Sequence, residues 1–189
     1  MKLLFASLAF ALGIGLANAQ GTLVFDQQST GSVDGALNLN RTPFGQSFTP
    51  TLDSIDFLEL QLNDGTTAST VAINIRSGSI TGTLLGTSLP TTLQSLSGGT
   101  YDFFFSNPVS LTPGTKYYFE PVVVSGGFAT TETTFIDYAG GDLIYDGAVQ
   151  RGDMWFREGV GSVPEPSSVE LLLIGGGALL WRRRKGIVL

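Results

Sequence analysis

The chain contains no cysteine and no histidine. Without cysteine it has no disulfide and no thiolate nucleophile, so its fold must rest on packing, hydrogen bonds or bound ions. Zinc sites of the ordinary kind lose all their sulfur and imidazole ligands. The Ser-His and Cys-His pairs that drive nucleophilic catalysis lose their base. Lysine is scarce as well: Lys2, Lys116 and Lys185 are all there are. A serine activated by Lys116 would be the remaining nucleophilic arrangement. Lys116 follows the turn residues Pro113-Gly114, however, where a solvated side chain is expected. No amphipathic pattern of helical period persists for three turns.

Positive charge is short where it matters. The chain has 10 Lys and Arg against 16 Asp and Glu. Five of the basic residues (Lys2 and Arg182 to Lys185) lie near the ends, as do two of the acids, Glu165 and Glu170. The stretch between keeps five basic and 14 acidic residues, a net charge of −9. Such a surface repels nucleic acid and anionic lipid, and it tolerates neutral sugars.

Both ends carry signals. Met1-Lys2 is a short positive region, Leu3 to Leu16 is apolar, and Ala17-Asn18-Ala19 is an A-x-A cleavage site. Residues 1–19 therefore read as a secretion signal, with Gln20 the first residue after cleavage. At the other end, Val163-Pro164-Glu165-Pro166 is held non-helical by its prolines. Ser167 and Ser168 can cap a helix that begins near Val169. The run to Trp181 is apolar or glycine except for Glu170, and Arg182-Arg183-Arg184-Lys185 follows. By the positive-inside rule that basic cluster stays in the cytoplasm. Ser167 to Trp181 spans about 22 Å as a helix, short of a hydrocarbon core of about 30 Å, which suits a transient anchor.

This tail resembles the PEP-CTERM sorting signal of Gram-negative bacteria. The resemblance rests on Val163-Pro164-Glu165-Pro166, the glycine-rich apolar run and the basic cluster, in that order. It departs in Glu170 and in the trailing Gly186-Ile187-Val188-Leu189. It implies recognition by an exosortase-type membrane protease, residence in the inner membrane until processing, and delivery to the cell surface or the extracellular matrix. The alternative for the tail is an ordinary single-span anchor. The expected organisation is residues 1–19 as signal peptide and 20–161 as ectodomain. Residues 162–168 form a linker, 169–185 a short transmembrane helix with its basic cluster, and 186–189 a tail.

The ectodomain reads as strands. Val71, Ile73 and Ile75 alternate with Ala72, Asn74 and Arg76, and Leu58, Leu60 and Leu62 with Glu59 and Gln61. Ile55 and Phe57 have the opposite parity, which places a bulge or strand start near Leu58. Tyr101, Phe103 and Phe105 share a face opposite Asp102 and Phe104. Lys116 to Val124 is a further strand, and Pro121 within it points to an edge or a bulge. Leu143 to Tyr145 and Met154 to Phe156 supply two more. Asn63-Asp64-Gly65, Ser77-Gly78-Ser79, Gly98-Gly99, Pro113-Gly114, Gly126-Gly127, Gly140-Gly141 and Asp146-Gly147 are turn signals. Many short strands with glycine-rich turns predict an all-β antiparallel sandwich of jelly-roll type. Val71, Ile73, Ile75, Phe103 and Phe105 are expected in the core, and Asn74 and Arg76 in solvent. The stretches Gly45–Pro50, Val71–Gly78, Val109–Tyr118, Tyr138–Gly141 and Asp153–Arg157 resemble the choice-of-anchor bacterial ectodomains, which are similar to carbohydrate-binding sandwiches. That resemblance implies the fold more than the function.

Two constellations could carry chemistry. Asp137, Asp142, Asp146 and Asp153 crowd glycine-rich loops and could offer oxygens to calcium; otherwise they are solubilising loop acids. Asp53 and Asp56 form another acidic pair. The Asn40-Arg41-Thr42 triplet is treated as accidental. Trp155 lies between Met154 and Phe156, so it should point away from the core, with Tyr138 and Tyr145 upstream. Such rings can stack on the apolar faces of sugars; otherwise a loop or second layer covers Trp155. The sequence is therefore read as an exported, non-enzymatic protein of a polysaccharide matrix, with Trp155, Tyr138 and Tyr145 as glycan contacts. The alternatives are a purely structural matrix component and a hydrolase acting through two carboxylates.

Overall fold

The alternation around Ile73 sets the architecture. Val71, Ile73 and Ile75 are buried in one strand, and Asn74 and Arg76 take its other face. The computed structural model describes residues 22–64, 68–94, 98–135 and 138–162. Thr22–Ser162 forms one compact unit. Among the described residues there is no helix. The expected signal peptide, sorting motif, transmembrane helix and basic cluster lie outside the described residues.

The first strands are β1 (Thr22–Ser29), β2 (Val33–Asn38), β3 (Gly45–Phe48), β4 (Ser54–Asp64) and β5 (Thr70–Ser77). Next come β6 (Thr83–Thr87), β7 (Thr91–Thr92), β8 (Gly98–Ser110) and β9 (Tyr117–Ser125). The last are β10 (Ala129–Thr134), β11 (Leu143–Tyr145), β12 (Ala148–Gln150), β13 (Asp153–Met154) and β14 (Phe156–Ser162). One sheet runs β1-β14-β4-β10-β13, with β8 also on β4 and β2 on β10. The other runs β12-β11-β3-β9-β5-β6, with β7 on β5. All the pairings are antiparallel.

The two sheets face each other across a shared core, as in a β-sandwich. Leu58, Leu60, Leu62, Phe103 and Phe156 come from the first sheet, and Phe48, Val71, Ile73, Ile75 and Phe119 from the second. The rings of Phe119 and Phe156 meet at 5.1 Å between the sheets. Burial of each such side chain is worth about 1.5–3 kcal/mol. A polar bridge joins the sheets too: Gln46 Nε2 of β3 donates to Asp153 Oδ1 at 2.6 Å, and Gln46 Oε1 accepts from Met154 N at 3.0 Å. Both side chains are buried, so each satisfies the other.

Four expectations need correction. The strand carrying Pro121 is interior, flanked by β3 and β5. The β3 ladder ends at Phe119, two residues before the proline, so Pro121 meets a strand partner on one side only. The bulge in β4 falls between Ile55 and Phe57 rather than near Leu58. The stretch Met154 to Phe156 is not one strand, because the ladder changes partner at Trp155, whose N–H donates to Glu132 O. Asn74 and Arg76 are half-buried rather than solvated, because both donate to Glu120 Oε2 of β9, at 3.1 and 2.8 Å. The turns follow their chemistry. Thr115 N donates to Thr112 O around Pro113-Gly114, with Gly114 at φ 76. Asp146 and Gly147, at φ 54 and 77, close the β11–β12 hairpin.

Candidate functional site

The outer face of the first sheet collects aromatic and charged side chains in register. In β14, Phe156 and Glu158 face inward, so Arg157 and Gly159 face out. Gly159 pairs with Phe25 of β1 and with Phe57 of β4, and Phe57 pairs with Phe104 of β8. One rung across four strands thus reads Phe25, Gly159, Phe57, Phe104. Phe25 and Phe57 close edge to face at 5.5 Å across the glycine. Phe104 lies tilted at 6.5 Å on the other side of Phe57. The central ring is wholly buried by its neighbours, while Phe25 and Phe104 remain 42% and 45% exposed.

The adjacent rung is charged: Gln28, Arg157, Glu59, Asp102. Arg157 Nη2 donates to Glu59 Oε1 at 2.6 Å. The same guanidinium lies 4.4 Å from the Phe25 ring centre and 5.4 Å from that of Trp155. A planar, weakly hydrated cation suits such stacking. Asp102 is exposed beside Glu59. Partial burial pushes its carboxyl above the usual range, the negative charge of Glu59 adds to this, and Arg157 opposes it.

The sequence-predicted ring cluster is not assembled as a single face. Trp155 is half-buried on the outside, against Arg157. Tyr138 packs onto the core, edge to face with Phe156 at 5.3 Å. Its hydroxyl donates to Gln27 Oε1 and accepts from Thr49 N, and burial above all pushes its pKa up to about 12. Gly140 serves this ring, since a Cβ there would lie 2.2 Å from the Tyr138 hydroxyl. Tyr145 packs against Phe44 at 5.7 Å.

The candidate calcium acids are also dispersed in role. Asp137 lies outside the described residues. Asp142 pairs with Lys116 at 3.1 Å, Asp146 occupies the β11–β12 turn, and Asp153 is engaged by Gln46 and by Tyr138 N. Among the described residues no group of three or more acids is placed to hold a metal ion. Of the other acidic pair, Asp56 Oδ1 accepts from Gly161 N at 2.6 Å, and Asp53 lends its carbonyl to Leu111 N.

A carboxyl pair of unlike character does occur. Asp26 is held below the usual carboxylate range by its hydrogen bonds, which outweigh the opposing effect of burial. Burial, followed by the charge of Asp26, pushes Glu158 up to about 8. Pairs driven apart in this way serve as acid and base in glycosidases. Glu158, however, is wholly buried, so no substrate reaches it in this conformation.

Phe25, Phe57, Phe104 and Arg157 were missed as site residues. The parity of Phe104 with Asp102 was visible in the sequence, but the strand that brings Phe25 beside them was not.

No curated protein matches the chain. Residues 162–185 match the PEP-CTERM protein-sorting motif. That motif implies a protein that is exported and processed at the membrane by an exosortase, a membrane protease.

Proposed function

We propose that the sandwich is a non-enzymatic module that binds extracellular polysaccharide through the outer face of its first sheet. Its C-terminal motif delivers it to the cell surface or matrix where that polymer lies. The observation that carries the reading is the in-register rung of Phe25, Phe57 and Phe104, flanked by Arg157 between Phe25 and Trp155. Exposed rings set among fixed polar groups offer a sugar both stacking and hydrogen bonding. Stacking is worth about 1 kcal/mol per ring, so single sites are weak and retention depends on many copies along a polymer.

The test is retention of the full chain on purified extracellular polysaccharide. Trp155→Ala and Phe104→Ala should each lower retention several-fold with the melting temperature nearly unchanged. One observation favours the second reading, a structural matrix component without a ligand: Arg157 is already ion-paired with Glu59. No retention of the wild type would establish that reading instead, and wild-type retention in both variants would place the binding elsewhere than on this face.

A further inference from the structure

The outer face is not electrically neutral. Arg157 pairs with Glu59 at 2.6 Å, and Asp102, the remaining charge of the rung, has no ion-pair partner of its own among the described residues. Its carboxyl sits directly across from Glu59, where like charges repel. Burial, then Glu59, raise its pKa, and Arg157 offsets them only in part. Phe104, the more exposed end of the aromatic rung, lies two residues along β8 on the same face. That separation is about 7 Å along a strand, so one sugar residue can touch both. The wider field has the same sign, since residues 20–161 carry a net charge of −9.

Resting on the polysaccharide reading above, we infer that this face takes a polymer bearing free amino groups, its ammonium seated on Asp102 while its ring stacks on Phe104. Charge complementarity selects this occupant. An acidic polysaccharide would meet Asp102 and the surrounding negative field. A neutral one would leave the repulsion between Asp102 and Glu59 relieved by Arg157 alone. An ammonium group relieves that repulsion and keeps the C–H face of its ring for Phe104.

The probes are glucosamine oligosaccharides and their fully N-acetylated counterparts of equal length, titrated onto the full chain at low salt. The titration is run at about pH 6.5, where the amines of the probe carry charge. Binding of the free-amine form should be about fivefold tighter, the scale of one exposed ion pair. Asp102→Asn should abolish that difference. Phe104→Ala should weaken both forms. Equal binding of the two oligosaccharides, or a preference that survives Asp102→Asn, overturns the inference and leaves the polysaccharide site standing. Binding of neither overturns both.

Discussion

Asp26 and Glu158 are neighbouring carboxyls with opposite surroundings. Asp26 accepts from Thr51 N, Leu52 N, the Thr51 hydroxyl and Gln27 Nε2. Neither oxygen of Glu158 has a partner at ordinary hydrogen-bond geometry, and its polar neighbours include Asp26, the Gln27 N–H and Tyr138. The pH dependence follows. Glu158 goes from an ordinary 4.5 to about 8 on folding, so the folded state holds its proton more tightly. Its contribution is full below about pH 4.5, falls as pH rises through about 8, and is flat beyond, a loss on the order of a few kcal/mol. Asp26 works the other way, because its lowered pKa stabilises above 3.8 and that help is lost as pH falls through the folded value. Glu158→Gln should flatten the melting temperature between pH 5 and 9 and exceed the wild type at pH 9. Parallel curves for the two proteins would refute the assignment.

Phe57 and Phe104 occupy the same rung but should respond differently to truncation. Phe57→Ala leaves a cavity under both neighbours and should cost about 3–5 kcal/mol in chemical denaturation. Phe104→Ala removes a ring already 45% exposed and should cost less than about 1 kcal/mol. The same contrast applies to Phe156→Ala and Trp155→Ala, because Phe156 is in the core and Trp155 is not.

Gly159 lets β1 and β14 approach. A Cβ there would stand 1.9 Å from the Val24 carbonyl oxygen, so backbone must shift. Gly159→Ala should cost about 2 kcal/mol and speed amide exchange across Thr22–Ser29, with little change in β5. Unchanged exchange in β1 would show that the ladder absorbs the methyl group.

Replacing Pro164-Glu165-Pro166 by three alanines should leave uncleaved precursor in the membrane, detected by mass. Recovery of surface protein that still carries Arg182 to Lys185 from the wild type would contradict processing.

The sequence showed the strands whose apolar residues alternate cleanly. Val71, Ile73, Ile75, Phe103 and Phe105 are all buried. It did not show β2 or β10: VDGALN offers only Val33 and Leu37 as large apolar residues, and ATTETT is mostly threonine, which serves either face. Parity placed Trp155 outward, since Met154 and Phe156 both enter the core. Parity says nothing of residues in irregular segments, so Tyr138 looked available until the structure put it against Phe156. Pro121 misled because the proline rule speaks of a missing donor, and β3 stops before that donor is needed.

β1 and β14 pair along their whole length, with Thr22 opposite Ser162. The chain leaves this unit towards its sorting tail at Ser162. Tension applied along the axis of β14 would load its rungs with β1 and β4 together, in shear, instead of peeling them one at a time. Phe25 and Arg157, on these same strands, stand in that line of force. A polymer held on the outer face would therefore pull against the sheet in its most resistant direction.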